Sequence, residues 1–211
     1  MEAKKPHILI AVLVGTERQG WVNPGLALSL IQMSHDSRFT IDIQLVSAVP
    51  GYHARNVCVD KARTAQADFL ITIDNDVVPS CNPLDILREA TSAQDIISLS
   101  AGVTLDGGKS YRLATHYTGN GTFQGNFLPV SNIGAGLLMI RSTVWQKIKG
   151  PWFNRITGQD ELLSPEGGCG EDVFFCRLAQ AQGFRLWTHR QLVGHMKTAN
   201  LTALAMSAAA R

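Results

Sequence analysis

Two apolar runs, His7 to Val14 (HILIAVLV) and Phe69 to Ile73 (FLITI), set the strongest limit on the fold. Neither approaches the ~20 residues needed to cross a bilayer, and both are bounded by turn-forming residues, so each predicts a buried strand. Segments of helical period lie between such runs. In HARNVCVDKARTAQ, for instance, Ala54, Val57, Cys58, Ala62 and Ala65 fall on one helical face. Buried strands alternating with amphipathic helices define an α/β domain.

The rest of the chain extends this pattern. A helix is expected from about Pro24 to Met33 and a strand from Thr40 to Val46. After the strand ending in Asp74, Asn82 suits the N-cap of a helix running to about Ala90, and Asp95 to Val103 reads as a strand. Thr104 to Ser131, rich in Gly, Thr, Asn and aromatics, reads as irregular hairpins that could shape a substrate site. Order returns with a strand at Leu137 to Arg141 and a short helix from Thr143 capped by Ser142. A Gly/Pro-rich loop over 150–170 leads to a helix that Gly183 should end, and FRLWTHR forms a last strand before Gly194 and His195. The tail, 196–211, is alanine-rich.

A chain of 211 residues with 45% hydrophobic content supports one well-packed domain. Nineteen Lys and Arg against seventeen Asp and Glu leave a formal charge of +2 with no basic run, which gives no electrostatic case for nucleic-acid binding. The four cysteines, Cys58, Cys81, Cys169 and Cys176, are scattered and read as reduced thiols of a cytoplasmic protein. The opening MEAKKPHILIAVLVG imitates a signal peptide, but Thr16-Glu17-Arg18 interrupts it and no small-x-small site follows, so a first core strand is expected.

Three features could carry chemistry. Asp74 and Asp76 close the FLITI strand as apolar-D-x-D, and on extended backbone both would project to the same side. At ~6 Å and an effective dielectric of ~20 their repulsion is roughly 3 kcal/mol, so a positive partner is expected. A divalent cation such as Mn²⁺ or Mg²⁺, which takes oxygen ligands, would supply it; a solvated turn is the simpler reading. Glu171 and Asp172 open a helix, where carboxylates complement the helix dipole and where one could also act as a general base. His195, just past the last strand, is either an ordinary surface or structural histidine or a ligand for Mn²⁺.

In sequence order, the N-terminal strand, the A-R-N helix, D-x-D, the G-x-G of NIGAG, E-D and G-H resemble the GT-A glycosyltransferases, especially family 2-like bacterial and phage members. The likeness runs from about 7 to 195. It implies a GT-A fold with a mainly parallel central sheet flanked by helices, in a single domain over 1–211. The nucleotide half would span about 1–103 and the acceptor and catalytic half about 104–195.

It further implies a metal-dependent hexosyltransferase that takes a sugar from a nucleoside-diphosphate donor, UDP-sugar first and GDP-sugar second, to a glycan, lipid, protein or modified nucleic-acid hydroxyl. On this resemblance Val14, Gly15 and Thr16 lie against the base, and Arg55 and Asn56 lie near the diphosphate. Asp76 and His195 hold the metal, Asp74 contacts the metal or the donor's ribose, and Asn75, Gly134 and Gly136 line the donor site. Asp172 is the base of an inverting displacement and Glu171 contacts the acceptor. Trp152 and Phe153 would form an acceptor platform or pack in the core.

Two other readings compete. D-N-D-V-V also satisfies the D-x-D-x-[TV] pattern of haloacid-dehalogenase-like phosphatases, whose nucleophilic Asp follows the first strand, whereas about seventy residues precede Asp74 here. A non-catalytic sugar-nucleotide-binding scaffold would keep the same fold. A P-loop at LDGGKS fails because Val103 stands where its first glycine is required.

Overall fold

The computed structural model describes residues 4–15, 21–47, 50–105, 110–113, 115–117, 122–156 and 169–195. Strand β1 (His7–Leu13) is its axis: residues 8 to 12 are wholly buried, and the side chains alternate between two cores. Leu9, Ala11 and Leu13 belong to one apolar cluster, Ile8, Ile10 and Val12 to the other. A strand sorts its side chains to opposite faces every second residue, so one unbroken apolar run serves both sides of a sheet. β1 pairs in parallel with β2 (Thr40–Val46) and with β3 (Phe69–Asp74).

Helices cover both faces. On the first lie α2 (Gly51–Thr64), α4 (Ser142–Lys147) and α5 (Glu171–Ala181), which contribute Ala54, Cys58, Trp145 and Phe175 to the first cluster. On the second lie α1 (Pro24–Ser34) and α3 (Pro83–Glu89), which contribute Leu26, Met33 and Leu84. Asn23 and Asn82 cap α1 and α3, each side chain accepting a hydrogen bond from the amide two residues on. Ser142, expected to cap α4, is instead its first helical residue, and the capping position falls to Arg141. Gly183 adopts a φ of +84° just beyond the end of α5, a conformation that favours glycine.

The sheet is mixed rather than mainly parallel. Its order is β2-β1-β3-β9-β5-β10-β8-β7, where β5 is Ile96–Leu105, β7 Thr115–Tyr117, β8 Phe127–Ile133, β9 Leu137–Arg141 and β10 Leu186–His195. β9 runs antiparallel to both β3 and β5, and β10 is parallel to β5, so β5 and β10 keep the sense of the β2-β1-β3 trio while β9 and β8 oppose it. Outside this path, β4 (Val77–Pro79) pairs with β10 and β6 (Ser110–Leu113) pairs with β5.

The register of β10 slips between Thr188 and Leu192. Before the slip its residues lie between β5 and β8; after it they lie between β5 and β4, with His195 opposite Val77. Such an irregularity re-aims a strand, and here it delivers the end of β10 to the residue that follows Asp76.

All four cysteines are free thiols. Cys58 and Cys176 are 0% exposed, and burial pushes both thiols up to about 12, so neither forms appreciable thiolate near neutrality. With a thiol reagent at about pH 8, Cys58 and Cys176 are expected to stay unlabelled until denaturant is added, whereas the half-buried Cys81 and Cys169 label in the native protein. Peptide mapping of the labelled chain checks this.

Candidate active site

Ligand sites of open α/β sheets lie beyond the carboxyl ends of the parallel strands, and Asp74, the NIGAG turn and Glu171 meet around one guanidinium at the end of β3. Arg55 sits early in α2 on its buried side, beside Ala54 and Cys58, and is 6% exposed. Its Nη1 donates to the carbonyl of Ala135, at 2.9 Å. Nη2 donates to both oxygens of Asp74, at 2.9 and 3.2 Å. Nε lies 4.0 Å from Glu171 Oε1 and has no hydrogen-bond partner. A single buried cation thus links the end of β3, the NIGAG turn and the start of α5.

The turn before β9 is built for this contact. The amide of Asp74 donates to the carbonyl of Gly136, and the Gly134 carbonyl accepts from Ser98 Oγ, at 2.7 Å. Ser98 is fully buried, and its own carbonyl accepts from Thr188. A Cβ at position 136 would stand 3.3 Å from Val77 Cγ2 and 3.8 Å from Asp74 Oδ2, so glycine lets this backbone lie against the carboxylate. Ala135 and Ser98, neither expected from motif reasoning, therefore hold the site together. A polar residue within the apolar strand IISLS was the available signal for Ser98.

Several assignments change. Asp74 and Asp76 do not share an extended segment: β3 stops at Asp74 and residues 75 and 76 form a turn. The strand parity expected to project them together does not apply. Arg55 neutralises Asp74, so that charge is met within the chain. The same bonds occupy both Nη atoms of Arg55, which is therefore a buried brace and not a surface cation reaching for a diphosphate.

Asn75 is 9% exposed and donates to the Trp21 carbonyl. Asn56 donates to the carbonyls of Tyr52 and Phe153 and accepts from the amides of Trp152 and Phe153. The amide groups of both residues are thus engaged within the chain rather than offered to a nucleotide. Trp152, at 4% exposure, packs in the core and donates its indole N–H to Ile148, and Phe153 stacks on Phe175. Neither aromatic is available as a sugar platform.

Val14 marks the end of β1, but its side chain is 6% exposed and joins the second core. Gly15 is exposed, with open space where a Cβ would lie. Thr16 lies outside the described residues. Asp172 is in the first turn of α5 and its Oδ1 accepts from the amide of Val173, at 2.8 Å. Asp76 is half-buried on the turn before β4. The backbone of His195 pairs opposite Val77, one residue beyond Asp76, while its side chain lies outside the described set.

Among the described residues no three His, Cys, Asp or Glu side chains form a group that could hold a metal. The available donors are nonetheless of the right kind. Asp74 and Asp76 present hard oxygen ligands of the type Mn²⁺ and Mg²⁺ prefer, with remaining positions conventionally filled by phosphate and water.

This arrangement is a GT-A fold, with the D-x-D turn at the carboxyl edge of the sheet. No protein-family model matches the sequence, and no curated protein matches it. Among solved structures, the chain is similar to A197 from STIV, with a TM-score of 0.59 and 17% identity over 90% of this chain and 86% of that one. It is also similar to the catalytic domain of Drosophila β1,4-galactosyltransferase 7 in complex with xylobiose, with a TM-score of 0.54 and 12% identity over 92% and 71% of the two chains. A mutant of the same Drosophila enzyme in complex with manganese, UDP-Gal and xylobiose gives a TM-score of 0.50 and 12% identity over 94% and 79%. Among the described residues no helix is long and apolar enough to cross a membrane.

The geometry makes Asn56 structural. Replacing it with alanine leaves two interior amides, those of Trp152 and Phe153, without acceptors. At about 1–3 kcal/mol for each buried unsatisfied donor, Asn56→Ala is expected to cost about 3 kcal/mol and to lower the thermal midpoint by roughly 6–12 °C. Calorimetry of the variant measures this directly.

Proposed function

We propose that the chain is a metal-dependent glycosyltransferase of the family 2-like kind, moving a sugar from a nucleoside-diphosphate donor, UDP-sugar foremost, to an acceptor hydroxyl. The observation that carries this reading is the convergence on Arg55. Three segments far apart in sequence, D-x-D, G-x-G and E-D, meet around one buried cation at the sheet edge. The manganese, UDP-Gal and xylobiose bound by the Drosophila enzyme support the same donor, metal and acceptor classes.

In this reading Asp76, Asp74 and His195 hold the divalent cation. When bound, the ion supplies positive charge to a diphosphate leaving group. Gly15, exposed at the end of β1, leaves space for the base, and the thin backbone at Gly134 and Gly136 leaves space for the donor sugar. Asp172 takes the proton from the acceptor hydroxyl as that oxygen attacks the anomeric carbon with inversion. Glu171, one residue before it, orients the acceptor. Asp74, held by a guanidinium, is poorly placed to serve as the free nucleophile of a dehalogenase-like phosphatase.

Thermal denaturation with UDP, GDP or dTDP, each with and without Mn²⁺, tests the donor site. Ligand at a hundred times its dissociation constant adds ~2.7 kcal/mol, which corresponds to about 5–11 °C at this chain length. One nucleotide is expected to raise the midpoint only when Mn²⁺ is present; no shift with any of the three would refute the proposal. Asp172→Asn should retain that shift while transfer falls by about 10²–10⁴-fold, and the product of the wild-type enzyme should carry the inverted anomer. A variant that transfers normally would remove Asp172 from the role of base, and transfer absent from the wild type as well would leave a binding scaffold.

A further inference from the structure

The Arg55 guanidinium has more to satisfy than it does. A guanidinium carries five N–H donors in a rigid plane, and this one, with its side chain only 7% exposed, stands between two carboxylates that both remain open to solvent: Asp74 at 28% and Glu171 at 34%. It is fully bonded to the first. Toward the second it presents a buried Nε–H with no hydrogen-bond partner, 4.0 Å from Oε1, about 1 Å beyond hydrogen-bond reach.

Its hydrogen bond to the Ala135 carbonyl fixes a third corner that neither acid supplies. The flanking residue of α2 on the Glu171 side is Gly51, whose missing Cβ would lie 3.8 Å from the same Oε1.

We infer that Arg55 is a positioning residue that couples the two sides of the site: whatever draws Asp74 off the guanidinium lets it close on Glu171. The inference rests on the proposed function, which puts the metal and donor at Asp74 and the acceptor at Glu171. A cation at Asp74 competes with Arg55 for the same oxygens, and the displaced guanidinium hydrogen-bonds Glu171 through Nε. The carboxylate that contacts the acceptor is thereby ordered only once the donor side is filled. Linkage makes the effect reciprocal: neutralising Glu171 removes the alternative partner of Arg55, which then holds Asp74 harder against the metal.

A double-mutant cycle tests this, with Mn²⁺ affinity in saturating UDP read by electron paramagnetic resonance of the free ion. Wild type, Glu171→Gln, Arg55→Lys and the double variant are compared. Lysine keeps the charge and supports folding but offers a single point charge in place of a planar fork, so it cannot be shared between both acids. Glu171→Gln is expected to weaken Mn²⁺ binding at least 5-fold in the wild-type background and less than 2-fold in the Arg55→Lys background, and Arg55→Lys alone to bind Mn²⁺ no more weakly than wild type.

Equal effects of Glu171→Gln in both backgrounds would mean that Glu171 acts on the ion through space, which overturns the coupling and leaves the functional reading intact. Arg55→Lys losing Mn²⁺ affinity in step with its thermal midpoint would make Arg55 a fold brace only, again overturning the coupling. Wild type taking no Mn²⁺ with UDP, GDP or dTDP would overturn the functional reading and this inference with it.

Discussion

A buried positive charge organises this protein. Taking a guanidinium out of water is costly unless its hydrogen bonds are replaced, and Arg55 is met from three places: it donates hydrogen bonds to the carboxylate at the end of β3 and to a carbonyl of the turn before β9, and it faces the charge of the acid at the start of α5. Each was brought to the sheet edge by a different part of the chain, and the desolvated cation is stable only where they coincide. The constraint runs both ways, because the Asp74 carboxylate is met by the same guanidinium that it helps to hold in place.

Around that centre the two-sided sheet supplies rigidity. The alternation of β1 between two cores fixes its register, since a slip of one residue would exchange every side chain between faces. The strands that end at the site are therefore held by apolar packing deep in the molecule, while the residues that meet ligands hang from their ends. Ser98 and Asn56 extend the same principle to loops: each uses internal hydrogen bonds to fix a turn that strand pairing alone would leave loosely placed.

Much of the scaffold was legible in the sequence because it follows from periodicity. The strands at Thr40–Val46 and Leu137–Arg141 have the bounds their apolar pattern implies, and Asn82 caps the helix it was expected to cap. The site was legible in its members more than in their bonds. D-x-D, NIGAG and E-D were recognisable, but nothing local says that Arg55 pairs with an acid 19 residues away and a carbonyl 80 away. One signal was present: Arg55 lies on the stripe of Ala54, Cys58, Val59 and Ala62 that α2 buries, and a charged residue on an apolar stripe demands a partner. Strand parity misled at Asp76 because the chain turns after Asp74, and Trp152 lies in a loop where no period distinguishes core from surface.

The register slip in β10 divides one strand into two independently indexed lengths. Insertions or deletions ahead of it, in the segment that adjoins β8, can be absorbed at Thr188–Leu192 without re-threading the part that ends at His195. A change of length there would leave the pairing of His195 with Val77 in phase. The irregularity works as an expansion joint between the two lengths of one strand.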